Sequence, residues 1–321
     1  MRRLSIFTVI SLLVFSFSTA WAQKKEVRLS IATGGTGGVY YPLGGGMANV
    51  ISKYIPYAEA TAEVTPASFD NCLLVGAGKA DLALIMADTG WDAYQGKARF
   101  KEKIPLRTVA VLYPNNMHIV TLEGKGIEKV SDLKGKRIST GSPGSGTEVK
   151  ALRVLEAYGL DPDKDMKRDK LGVSESAGAL KDRKIDAFFW DGGLPTAAVT
   201  DLGATPGIKI KIIPHGDAIP KMREKYGPLY VKGIIPAKTY PGQDVDVEMA
   251  VVWNILVCHE NMKGDVAYDI VKTLFDHKPE LVTVHKEARW LSLEPQATGG
   301  SPIPFHPGAF RYFTEKGLKI K

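Results

Sequence analysis

The sequence predicts an α/β fold in two lobes that face each other across a cleft, and three observations carry the prediction. Residues 27–51 pass from a strand pattern through a glycine-rich turn into a helix pattern, and residues 136–158 repeat that device. Around them, apolar runs of strand length alternate with amphipathic stretches of helix length, the order of a mostly parallel sheet with helices on both faces. A mature chain of roughly 300 residues also exceeds what one hydrophobic core usually serves, so two lobes are expected.

The chain opens with an address. Arg2 and Arg3 form a basic start, Leu4 to Phe17 an apolar stretch, and Ala20-Trp21-Ala22 a small-x-small cleavage site, which predicts a leader over residues 1–22 cut after Ala22. The apolar stretch is short for a membrane span, which argues against an uncleaved anchor, and no second such run follows. No cysteine follows the cut, so no lipid is attached there. The mature protein is expected to be exported and soluble, not an integral membrane protein.

The first device follows at once. Val27, Leu29 and Ile31 alternate with polar neighbours, while Val39, Leu43, Met47, Val50 and Ile51 recur at helical spacing. Between them Gly34, Gly35, Gly37 and Gly38 surround the single hydroxyl of Thr36. A turn of this kind aims the free N–H groups of a helix start at the space above the strand end and lets a ligand approach the backbone. It is an anion site for which phosphate and carboxylate are both admissible. A strand at 62–65, a helix at 68–78, a strand at 81–86, a helix carrying Trp91 and Tyr94, and a strand at 107–113 continue the first lobe.

At Tyr113-Pro114-Asn115-Asn116 the pattern breaks, and a second βα series starts at His118. A strand at 118–122, a turn at 131–133 and a strand at 136–140 lead to Gly141-Ser142-Pro143-Gly144-Ser145-Gly146-Thr147 and a helix to Tyr158. A helix at 176–183, a strand at 185–190, a helix at 195–202 and a strand at 208–213 follow. The Pro- and Gly-containing stretch 230–243 reads as a return crossing, 245–258 as a long strand, and 266–277 and 308–317 as closing helices. The lobes are therefore expected at 23–115 plus 240–321 and at 116–239, with two crossings as the hinge.

Composition excludes several function classes. Without Arg2 and Arg3, 40 basic residues stand against 35 acidic ones, a net +5. These charges are interspersed, as in residues 164–170, which reads as a solvated face and not as a nucleic-acid stripe. No nucleic-acid partner is expected. Cys72 and Cys258 both sit in apolar settings and read as two separate buried thiols, and no metal-ligand spacing appears among the six histidines and two cysteines. Thr147 stands where a Walker A loop needs lysine, Tyr40 where the dinucleotide fingerprint needs its third glycine, and Pro143 and Thr147 where a nucleophile elbow needs glycines. Neither a cofactor, a metal nor a catalytic residue is assigned.

What the residues do support is recognition. Thr36, Ser145 and Thr147 offer hydroxyls beside free backbone N–H groups, a sufficient set for a carboxylate without arginine. Either loop alone is equally a pair of helix caps; two in corresponding positions favour binding, because open α/β sheets take ligands at strand C-terminal ends. Tyr40, at the first helical turn, faces the cleft or the core. Trp190 stacks over a ligand or belongs to the core. Asp191 accepts from a ligand ammonium or caps the next turn. Ser68, Asp88 and Tyr230 sit near expected cleft edges, where caps and hinge packing explain them equally.

Thr33-Gly34-Gly35-Thr36-Gly37-Gly38-Val39-Tyr40-Tyr41-Pro42-Leu43-Gly44-Gly45 resembles the signature of the TAXI family of TRAP transporter solute receptors. Residues 131–137, 141–148, 185–189 and 306–309 resemble further family stretches, in the family's order and over nearly the whole mature chain. The resemblance implies a type II periplasmic binding protein, with two α/β lobes, a ligand cleft and a two-crossing hinge. It also implies a periplasmic location and delivery of a small organic anion, glutamate- or dicarboxylate-like, to TRAP membrane subunits. Ligand contacts carried over fall on Thr36, Gly37, Tyr40, Ser145, Gly146 and Thr147, and further on Ser68, Trp190 and Tyr230; Gly38 and Asp191 join the candidate contacts from their own places in the first turn and at the strand end. Two departures bear on the ligand: Met86 lies where the family commonly has glutamine nearby, and Asp191 puts an acid at the cleft, where it would repel a second carboxylate. An exported hydrolase or transferase on the same scaffold, or a receptor that presents its ligand to a membrane sensor, are the alternative readings.

Overall fold

In the computed structural model residues 27–320 are described, so the leader expected over residues 1–22 lies outside the described residues. In chain order the elements are β1 (Val27–Ala32), α1 (Tyr40–Tyr54), β2 (Ala58–Glu63), α2 (Ser68–Gly76), β3 (Leu82–Met86), α3 (Ala87–Gln95), β4 (Leu106–Leu122) and β5 (Arg137–Ser139). There follow α4 (Gly146–Ala157), β6 (Lys167–Asp169), α5 (Val173–Lys181), β7 (Ala187–Gly192), α6 (Ala197–Gly203), β8 (Ile210–Ile212), α7 (Ile219–Tyr226) and β9 (Val231–Ile235). The chain ends with β10 (Val247–His259), α8 (Gly264–Asp276), α9 (Lys278–Val284), α10 (Leu293–Ala297) and α11 (Pro307–Glu315).

The strands form one sheet in the order β2-β1-β3-β10-β4-β7-β5-β6, with β8 on β4 and β9 on β10. Its flanks are parallel: β1 pairs with β2 and β3, and β5 with β6 and β7. Its centre is antiparallel, because β10 inserts between β3 and β4 and β7 pairs antiparallel with β4. The mostly parallel sheet expected from the βα order is thus a mixed one. Two long strands replace the helical crossover that a parallel neighbour would need.

The break expected at Tyr113–Asn116 is absent. β4 runs unbroken for 17 residues through Pro114. Proline has no N–H to give a ladder and is tolerated where pairing is irregular. Pro114 meets that condition: it faces Trp253, and the β4–β10 register shifts between Trp253 and Ile255.

Four apolar clusters fill the molecule. Leu43, Met47 and Ile51 of α1 pack with Ile270, Leu274 and Phe313 of the C-terminal helices on one face of the sheet's first half, while Cys72, Val75 and Ile85 anchor the other face. Met117, Ile138, Val154 and Phe189 centre one cluster of the second half, and Val120, Leu180, Phe188 and Val199 the other. Both cysteines are free and buried; burial raises their thiol pKa, that of Cys258 to about 12, which leaves them unreactive. No described helix is long and apolar enough to cross a membrane.

Candidate ligand-binding site

The turn after β1 and the turn after β5 open onto one cavity of about 60 Å³. Gly34, Gly35, Gly38, Val39 and Tyr40 come from the first turn and Gly141, Ser142, Ser145, Gly146 and Thr147 from the second, while Trp190 and Asp191 come from the end of β7. The parallel pairing of β1 with β3 and of β5 with β7 brings these C-terminal strand ends to the same edge. Pro66, Ala67, Ser68 and Met86 close the side formed by α2 and β3.

The second turn is built to leave helix amides open. Gly141 holds φ +97 and Gly144 φ +78, conformations that a side chain disfavours. A Cβ on Gly144 would lie 2.5 Å from Asp70 Oδ1, the end of a side chain that can move aside, so the need for glycine there rests on its φ. Ser145 then caps α4, its Oγ accepting from Glu148 N at 3.0 Å, and Val149 N donates to its carbonyl. Among the described residues the N–H groups of Gly146 and Thr147 meet no acceptor, so they stand open at the positive end of α4. Thr147 Oγ1 accepts from Asp191 N at 3.2 Å and locks β7 to the helix start. Each hydroxyl still keeps its own proton to donate.

Aromatic side chains line the opposite wall. Tyr40 hydrogen-bonds through its hydroxyl to Asn254 Oδ1, and its ring meets that of Tyr113 edge-on at 6.5 Å between centroids. Trp190 donates Nε1 to Thr196 Oγ1 at 2.7 Å and lies so close to Gly38 that a Cβ there would stand 2.8 Å from the indole. Ser68 Oγ accepts from Met86 N at 3.1 Å. Ala67 holds φ +90, a region that costs a residue other than glycine about 1–3 kcal/mol. Its N–H is held by Thr65 Oγ1.

Three polar atoms in this wall are buried without a hydrogen-bond partner: Tyr113 Oη, Asn115 Oδ1 and Asp191 Oδ2. Lys150 Nζ directs its hydrogen bond at Asp191 Oδ1, 3.2 Å away, and lies 3.0 Å from Oδ2 as an ion pair. Burial raises the Asp191 carboxyl to about 6, against the pull of Lys150. The acid expected to repel a carboxylate is therefore charge-compensated from behind.

Several contacts tie the two sides of the cavity together. Phe69 N and Asp70 N, at the start of α2, donate to Gly144 O at 3.1 and 3.2 Å. Arg99 pairs with Glu148 at 2.9 Å. Arg153 of α4 reaches α3, bonding Asp88 at 3.4 Å and also Asp92, and Tyr230 joins them, accepting from Arg153 at 2.6 Å and donating to Asp88 at 2.7 Å.

Of the residues named from the sequence, Gly38, Tyr40, Ser68, Ser145, Gly146, Thr147, Trp190 and Asp191 line the cavity. Thr36 and Gly37 do not: they face the adjoining groove with Ser174 and Ala198, because the turn directs its tip outward. Tyr230 is fully buried in the Arg153 network instead. Tyr113, Asn115 and Lys150 went unnamed as contacts. In sequence, Tyr113-Pro114-Asn115-Asn116 reads as a break in pattern, and the signal for a contact there is an asparagine beside a proline inside an apolar run. Lys150 hid in the amphipathic pattern of its helix. Among the described residues no group of three or more His, Cys, Asp or Glu side chains is placed to hold a metal.

Similar folds occur among solved structures. The alkanesulfonate-binding protein SsuA from Xanthomonas axonopodis pv. citri, bound to MOPS, is 16% identical, with 89% of this chain and 83% of that one covered and a TM-score of 0.50. Tv2483 bound to L-arginine is 12% identical over 83% of this chain and 90% of that one, with a TM-score of 0.51. A protein from Bordetella bronchiseptica RB50 is 19% identical over 90% and 80%, with a TM-score of 0.52. At these identities the likeness establishes the fold, the mixed α/β fold of type II periplasmic binding proteins. The family model described as the NMT1-like family matches residues 31–317, and the chain accordingly belongs to the NMT1-like family.

Proposed function

We propose that the protein is the extracytoplasmic solute receptor of a TRAP-type secondary transporter, holding a small organic carboxylate between two lobes and delivering it to the membrane subunits. The observation that carries this reading is the cavity between the two glycine turns. It combines open helix amides at Gly146 and Thr147 with buried polar atoms that lack a partner within the protein. Open amides at a helix start receive an anion, and buried polar atoms are as a rule satisfied, so orphans in a cavity wall point to a guest.

The remaining parts of the proposal rest on the chain's own segments. The lobes are residues 23–115 with 240–321 and residues 116–239, joined through β4 and β10, and the leader is cut after Ala22 for release to the periplasm. The TRAP partner rests on the resemblance of residues 33–45 and 141–148 to TAXI receptors. A receptor without catalysis also suits the histidines, which serve the fold. His118 bonds Asn116 O and Tyr240, His215 bonds Ile213 O and accepts from Ala250 N, and burial lowers both to about 4. His306 caps α11.

Thermal-shift measurement with carboxylates, amino acids, alkanesulfonates and phosphate tests the reading, together with native mass spectrometry of protein purified without denaturation. Stabilisation by a carboxylate is expected. Stabilisation by phosphate or sulfonates alone would overturn the carboxylate assignment, and turnover of the bound compound would favour an enzyme.

A further inference from the structure

The charge lining the cavity narrows the guest, an inference that rests on the receptor reading above. Among the described residues no Lys, Arg or His side chain lines the cavity, and Lys150 behind its wall is committed to Asp191. One carboxylate is met by the amides of Gly146 and Thr147, whereas a second would be buried with no cation in the wall to meet it.

The orphaned wall atoms specify the rest. Asn115 Oδ1 is an acceptor in want of a donor, Asp191 Oδ2 meets only the Lys150 ion pair, and the Tyr113 hydroxyl accepts as well as donates. All three side chains are more than nine-tenths buried, so water does not satisfy them from outside. A guest without a donor would leave the buried Asn115 acceptor unpaired. We infer that the site takes a monocarboxylate bearing a hydrogen-bond donor, hydroxyl or ammonium, next to its carboxylate, and excludes dicarboxylates.

Calorimetric titration of the cargo-free mature protein tests this with L-lactate and glycolate, L-alanine and glycine, propionate, succinate, L-glutamate and phosphate. Either the hydroxy acids or the amino acids are expected to bind about tenfold or more tightly than propionate, and which pair does so identifies the donor. Succinate and glutamate are expected about a hundredfold weaker than the best short acid. Asn115→Ala and Tyr113→Phe, each checked for an unchanged melting profile, are expected to narrow the preference over propionate. Succinate or glutamate binding as tightly as the short acids would overturn the inference and leave the receptor reading standing. Propionate binding as tightly as lactate and alanine, or both variants weakening every acid equally, would overturn the donor assignment. Binding of phosphate alone, or of none of the acids, would overturn the receptor reading and this inference with it.

Discussion

Lys150 Nζ lies 3.0 Å from Asp191 Oδ2, and both side chains are completely buried. The pair joins the first turns of α4 to the end of β7, directly behind the cavity. Two charges out of water are tolerable only together, because either one alone keeps its desolvation penalty without its partner. Lys150→Met is therefore expected to destabilise the protein by about 3–5 kcal/mol. Adding Asp191→Leu to it is expected to recover most of that loss. Urea denaturation of the two single variants and the double variant measures both; equal stability of all four proteins would contradict the pairing.

Glu287 makes stability depend on pH. It is fully buried beside Gly193 and the Tyr113 ring, Arg289 stands 3.6 Å from its Oε1, and burial raises its carboxyl to about 7. A raised acid contributes stability that is complete below its unfolded-state value and is lost as pH rises through the folded one. Asp191 acts in the same sense up to about 6. His118 and His215, lowered to about 4, act in the opposite sense between about pH 4 and 6.5, so the Glu287 contribution is read as a difference: from about pH 4.5 to 7 the parent should lose about 2–3 kcal/mol relative to Glu287→Gln. Denaturant midpoints across this window decide it; a stability that rises toward neutrality by the same amount in both proteins would refute the role given to Glu287.

The Arg153–Asp88–Tyr230 network spans α4 and α3 on either side of the cavity. Tyr230→Phe deletes the hydroxyl that both partners share, at a cost of about 1–3 kcal/mol, since charged groups are involved. Because the contact bridges the two sides, part of the loss should appear as faster ligand release. Stopped-flow dissociation rates check this, and an unchanged off-rate with a lowered melting temperature would reduce the network to simple scaffolding.

The opening turn of α4 yields a direct binding test. Ser145→Ala with Thr147→Val removes two hydroxyl donors and also the cap on Glu148 N and the tie to Asp191 N. Each lost bond to a charged ligand is worth about 1.5–3 kcal/mol, so affinity should fall by several kcal/mol at most. The missing cap costs about 1 kcal/mol of helix stability on its own account. Unaltered affinity would put the ligand elsewhere.

Much of the fold was legible because local chemistry and tertiary position agree. The helix spacing of Leu43, Met47 and Ile51 and the strand run 82–86 are each buried where their pattern implies. Long-range pairing was not legible. Nothing local tells that residues 247–259 slip between β3 and β4, and Pro114 looked like a terminator because its tolerant partner, the irregular register at Trp253, lies far away in sequence. β6 was hidden in the charged run 164–170, since an edge strand has little apolar surface to advertise. In the site, glycines and hydroxyls announced themselves by composition, whereas Thr36 and Gly37 depend on which way a turn points, and Lys150 on which strand end its helix faces.

The unbroken passage of β4 through Pro114 has a mechanical consequence. A strand that bends at a loop lets its two ends move independently, but an unbroken strand, even with the irregular pairing at Trp253, acts as a torsion bar. Any rotation of one half of the molecule against the other must be stored as twist in β4 and β10. Tyr113 and Asn115 ride on that bar on either side of the proline, so turning it swings a phenol and an amide toward or away from the cavity. In the receptor proposed above, opening the molecule and releasing its guest are one movement.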